Sequence, residues 1–166
     1  MTKLLNFPSE VNDTSARIVA SGAVLMAAGY AVTGWAWVLI PLTYGFTARV
    51  LTGPTFSPLA RLATQVISPR LKGPHRIVPG PPKRFAQGIG AIFSITASLL
   101  YIGDFGTASR WVAAALSGPA FLEAAFGFCV GCKMFAGLMK IGVIPESVCV
   151  ECSDISSRLR AQGAVQ

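Results

Sequence analysis

IVASGAVLMAAGYAVTGWAWVLIPLTYGFTA, residues 18–48, runs without a charged side chain. As one helix it would measure about 46 Å at 1.5 Å per residue, well beyond a hydrocarbon core of roughly 30 Å. The stretch therefore reads as two spans folded into a tight hairpin near residues 29–34 (GYAVTG). Span 1 is expected over residues 14–32, opened by Asp13 or Thr14, both good N-caps. Span 2 is expected over residues 35–51. Trp35 and Trp37 fall where an interfacial aromatic belt would place them.

The rest of the chain repeats this signal. A third span is expected over residues 85–103 and a fourth over 110–129, the last kinked by Pro119. Charged residues are only 13% of the chain, hydrophobic residues 52%, and the mean hydropathy is +0.57. Soluble domains carry about twice that charge. The seventeen glycines suit helices that approach closely inside a bilayer. The fold class is all-α: a four-helix integral membrane bundle, one domain over residues 1–166.

Between spans 2 and 3 lies a basic loop, residues 52–84, holding Arg61, Arg70, Lys72, Arg76, Lys83 and Arg84 with no acid. Short loops rich in Lys and Arg stay in the cytoplasm. The expectation is a multi-pass protein of the cell inner membrane with both termini cytoplasmic. Residues 57–67 (SPLARLATQVI) form a short amphipathic helix in this loop, capped by Ser57 with Pro58 at its first position. The following PRLKGPHRIVPGPPKR, residues 69–84, reads as too proline-rich for regular structure. Its charge fits acidic headgroups better than nucleic acid, so the partner is the lipid bilayer and an oligomer is compatible. His75 could act as a ligand, but a lone His among Lys and Arg is more often solvated. Residues 1–15 lack the apolar core of a signal peptide, so the first span is expected to remain in the mature protein. There is no P-loop, dinucleotide fingerprint or nucleophile elbow.

Chemistry concentrates at the C-terminal end, in Cys129-Val-Gly-Cys132 and Cys149-Val-Glu-Cys152. The pattern C-x2-C-x16-C-x2-C brings four thiols within reach of one another. A span entering at Trp111 emerges near Cys129, and Pro145 allows a turn that returns the second pair. The cytoplasmic four-cysteine segment 129–152 then has three readings. One metal ion, zinc most readily or iron, takes all four thiolates. Alternatively the pairs exchange disulfides, Cys129 with Cys132 and Cys149 with Cys152 accepting or resolving. Inert packing is the third. Cys129 is expected at a helix C-terminus, which would raise its pKa and counts against strong activation. Glu123, the only acid within an expected span, is a candidate for proton transfer or for an ion pair with Arg49 or Arg17. On a continuous helix it would not share a face with Cys129.

Thr52-Gly-Pro-Thr-Phe-Ser-Pro-Leu-Ala-Arg61, Pro-Pro-Lys-Arg-Phe-Ala-Gln-Gly-Ile-Gly90, the segment ending at Lys133 and Ile-Pro-Glu-Ser-Val-Cys-Val-Glu-Cys152 together resemble the bacterial membrane family called domain of unknown function 4395. The resemblance covers roughly residues 10 to 153. It implies a small membrane protein with no established activity, from a family whose members are sometimes linked to thioredoxin-like or rhodanese-like proteins. By that analogy it favours thiol or sulfur (persulfide) exchange with a soluble partner over a structural zinc site.

Overall fold

A computed structural model of the chain describes residues 10–70 and 77–145. Cys149, Cys152, His75, Lys72 and Arg76 lie outside the described residues.

The uncharged stretch of residues 18–48 breaks where the sequence says it should. Helix α1 (Asp13–Thr33) stops at Gly34, whose φ of 74° is left-handed and whose N–H donates to the Tyr30 carbonyl. A 3-10 turn (Ala36–Val38) then leads into α2 (Leu39–Thr52). The N-cap of α1 is Asn12 rather than Asp13 or Thr14: its side chain accepts from Thr14 N at 2.9 Å. Asp13 is thereby freed for the site described below.

The loop after α2 is more ordered than its prolines suggest. Ser57 caps α3 (Pro58–Arg61), accepting from Ala60 N with Pro58 at the start, as expected. The coil continues as a π-helical turn (Leu62–Ile67) and a 3-10 turn (Ser68–Arg70). The stretch expected to be irregular includes a strand instead. β1 (Glu10–Asn12) pairs antiparallel with β2 (Ile77–Pro79), Val11 opposite Val78. Helix α4 (Gly80–Ile102) then starts five residues before the expected span. Proline is compatible with the first helical turn, where its missing N–H has no partner to lose.

Helix α5 (Gly106–Phe126) contains Pro119 without ending there. It does end before Cys129, against expectation: Gly127, at φ 67°, takes up the left-handed C-cap position. A separate helix, α6 (Val130–Lys140), leaves at 98° to α5.

Helix α5 packs between α1 and α4, and α2 packs on α4. Their contacts are antiparallel. Arg17, early in α1, donates to the carbonyls of Ala124 and Ala125 at the end of α5 (3.2 and 2.8 Å). Arg110, early in α5, returns the arrangement to Ala31 and Val32 at the end of α1 (2.8 and 2.7 Å). Each helix so lends a cation to the other's negative C-terminus.

The core combines large side chains such as Tyr30, Leu42 and Phe46 with small and hydroxylic ones at the helix contacts, while many further large apolar side chains face outward. Ala23, Ala27, Ala97 and Ala113 are buried, with Ser94 and Ser109. Ser109 Oγ lies 2.7 Å from Tyr30 Oη and donates to the Ala97 carbonyl at 2.6 Å. Gly90 meets Phe46 so closely that a Cβ there would collide with the ring. Ile102 is 77% exposed and Trp37 81%, with Leu25, Ile92, Leu99 and Phe126 also turned outward. Helices α1 and α4 are long and apolar enough to cross a membrane, and the bent pair α5 and α6 qualifies together as a third crossing.

Candidate functional site

The antiparallel packing brings the start of α1, the end of α2, the start of α4 and the end of α5 to one end of the molecule. Charges gather there, whereas the hairpin ends opposite carry only Asp104 and Arg110. Lys83 stands at the centre. Its Nζ lies 2.6 Å from Glu123 Oε1 and 3.2 Å from Asp13 Oδ1, with all three side chains largely buried. Glu123 therefore pairs with neither Arg49 nor Arg17 at salt-bridge distance. Arg17 is committed to the α5 carbonyls. Arg49, only 5% exposed, donates from Nε to Gln87 Oε1 at 2.8 Å and from Nη1 toward Ser57 Oγ at 3.5 Å. Its guanidinium also covers the Phe46 ring, 4.6 Å from the centroid.

The cysteine pair is held against this cluster by the break at Gly127. Phe128 N still reaches back to the Leu122 carbonyl at 3.2 Å, closing the end of α5. Cys129 is then extended (φ −83°, ψ 103°) and becomes the N-cap of α6, its sulfur accepting from Cys132 N at 3.3 Å. A cysteine expected at the end of one helix thus stands at the start of another. The sign of the local dipole reverses with it, since a helix N-terminus favours negative charge.

Two contacts dock α6. The rings of Phe85 and Phe135 lie 5.7 Å apart. At Gly131 a Cβ would come within 2.6 Å of both Ala86 Cα and Ala86 Cβ, so the glycine inside the CxxC is what lets α6 touch the α4 backbone. Helix α6 is about 16 Å long, too short to cross a bilayer, and both cysteines lie beyond the end of α5.

The two thiols are not equivalent. Cys132 donates to the Cys129 sulfur from its own thiol and its backbone N–H, and the Lys83 ammonium lies nearby. Together these hold Cys129 below the ordinary thiol range, against the opposing effects of burial and Glu123. The same hydrogen bond, then burial and the Cys129 charge, push Cys132 up. Cys129 is 8% exposed, whereas Cys132 is half-buried.

Cys129 faces a cavity of about 260 Å³ between the helices. Phe46, Phe93 and Leu116 are among its walls, and Arg49, Gln87, Glu123 and Cys129 give it polar groups at the charged end. Glu123 and Cys129 therefore share one space, which a continuous helix would have forbidden. A second cavity of about 230 Å³ lies toward the α3 side and shares Arg49 and Gln87.

Among the described residues no three His, Cys, Asp or Glu side chains gather to hold a metal. Cys129 and Cys132 supply two thiols; the other two of the expected four lie outside the described residues. The sequence suggests Asp13 only as a cap, Lys83 only as a loop cation and Arg49 as the partner of Glu123, and it gives Gln87 no role; the structure puts Lys83 between Asp13 and Glu123 instead. Lys83 was hidden in a loop that is really a proline-started helix. The signal was present in Gly80-Pro-Pro-Lys83, because prolines at the first helical positions mark a start rather than a break.

These elements define a helical protein with two to three helices able to cross a membrane and a CxxC at their charged end. The chain belongs to the family described as domain of unknown function (DUF4395), whose model matches residues 11–140 and so takes in the first cysteine pair. No curated protein and no solved structure matches it.

Proposed function

We propose that the chain is an integral membrane protein whose Cys129–Cys132 pair exchanges disulfides with a soluble thiol protein. Four crossings, by α1, by the 3-10 turn with α2, by α4 and by α5, are supported by the outward apolar side chains and by the alanines, serines and Gly90 at the helix contacts. The Lys- and Arg-rich end would face the cytoplasm.

The observation that carries the exchange reading is the N-cap position of Cys129. In the oxidised pair, a partner's thiolate attacks the more accessible Cys132 sulfur. The S–S bond breaks and Cys129 leaves as a thiolate, which the α6 N-terminus and Lys83 stabilise; low-pKa thiols leave faster. The partner's second thiolate then displaces Cys132 from the mixed disulfide. The partner ends as a disulfide, the protein as a dithiol, and two electrons have moved. The reverse sequence reduces a partner. Cys149 and Cys152 would accept or resolve in the same chemistry.

Metal analysis and thiol titration of anaerobically purified protein test the reading. Free thiols that equilibrate with a glutathione couple, with a Cys129–Cys132 disulfide mapped by mass spectrometry, are the expected result. A tightly bound metal with untitratable cysteines would overturn it in favour of a four-thiolate zinc site that rigidifies a docking end.

A further inference from the structure

Resting on that exchange reading, we propose that the 260 Å³ cavity takes the ring of a membrane quinone, which draws two electrons from the Cys129–Cys132 dithiol. The favoured thiolate does not face water. Cys129 is 8% exposed and forms part of a cavity whose other walls are mostly apolar, while Cys132 does not line it. An oxidant that meets Cys129 through this cavity needs a largely apolar body with a polar edge, and the volume suits a ring-sized headgroup rather than a larger cofactor.

The polar end of the cavity matches the acceptor oxygens of such a ring. Arg49 is 5% exposed and, among the described residues, has no carboxylate within salt-bridge distance; it is held by Gln87, Ser57 and the Phe46 face. Glu123 lines the same end of the cavity, but Lys83 already holds its carboxylate at 2.6 Å, so the buried Arg49 guanidinium is the cation left to meet negative charge developing there. Gln87 presents its oxygen to Arg49, which leaves its amide N–H groups to donate to a ligand. Both groups stabilise the charge that develops on a quinone oxygen during reduction.

The step balances. The Cys129 thiolate adds to a ring carbon, placing negative charge on a ring oxygen. Cys132 loses its proton and attacks the Cys129 sulfur, which forms the disulfide and breaks the carbon–sulfur bond. The electron pair stays with the ring, and the two protons given up by the thiols complete the quinol. Two thiols and a quinone become a disulfide and a quinol.

The test uses full-length protein in detergent, reduced, freed of reductant and mixed anaerobically with decylubiquinone. Quinone loss is read by its ultraviolet absorbance, and the disulfide is mapped by mass spectrometry. The expected result is quinol formed with a Cys129–Cys132 disulfide. Ala120→Leu, which fills the cavity, and Arg49→Gln are each expected to slow the reaction at least tenfold. Ala120→Leu keeps the test open should Arg49→Gln fail to fold. The glutathione equilibrium of the dithiol is measured in parallel on each protein. Wild-type protein that exchanges with glutathione yet leaves the quinone oxidised overturns the quinone proposal alone. So does quinone reduction at the wild-type rate in Ala120→Leu. A dithiol that forms no disulfide with either oxidant sinks both proposals.

Discussion

Gly131 decides where the thiols sit. Because its missing Cβ lets α6 lie on Ala86, Gly131→Val should push the helix away from α4. Overpacking of this kind costs about 1–3 kcal/mol. A lower midpoint in detergent thermal unfolding, together with faster alkylation of Cys132, would register it. Lys83 carries a different kind of weight, since its one ammonium pairs with two carboxylates at once. Lys83→Met should destabilise by about 3–5 kcal/mol because it strands buried charge. Adding Asp13→Asn and Glu123→Gln should restore much of the loss, and the same unfolding assay checks both. Cys129 supplies a pH dependence. Its pKa lies below the ordinary value, so its thiolate is already formed at pH values where an ordinary thiol, near about 8.5, is still protonated. Its alkylation rate should therefore reach a plateau at lower pH than that of Cys132, and Lys83→Met should move the rise upward. Mass-spectrometric rates for each cysteine across pH decide this.

At the scale of elements, the break between α5 and α6 reorganises everything the sequence suggested about the site. Gly127 holds φ at 67°, a conformation that costs a β-branched residue roughly 1–2 kcal/mol. Gly127→Val should lower stability by about that amount and slow disulfide exchange with glutathione, as the Cys129 cap is lost. The sequence could not announce this break. A glycine between two phenylalanines in an apolar run looks the same whether it packs helices together or ends one. Tertiary contact resolves it: the Phe85–Phe135 pair and the Ala86 contact reward α6 for turning aside. The start of α4 is obscured for the opposite reason, because in sequence the prolines that begin this helix look the same as prolines in a loop. By contrast the hairpin near residues 29–34 and the Ser57 cap were legible, since each depends on a few neighbouring residues and their local hydrogen bonds.

Across the described residues, many large apolar side chains, Leu25, Trp37, Ile92 and Ile102 among them, lie exposed although Leu42 and Phe46 fill the core, a surface that water would not select. The protein should remain in the membrane fraction after alkaline extraction and be released only by detergent; recovery in the soluble fraction would count against the crossings. Length, the absence of charge and the basic segment were enough to say that the chain is helical, apolar and charged mainly at one end. Hydropathy and helical reach act locally along the chain, so one sequence carries them. Which charges meet was decided only by the packing. Lys83, Asp13 and Glu123 are far apart in sequence and become neighbours because antiparallel helices end at the same level. Whether Cys129 closes one helix or opens the next was also left to the tertiary structure. The apolar pattern is alike in both cases, and the choice depends on the backbone turning left-handed at Gly127 so that α6 can rest on α4.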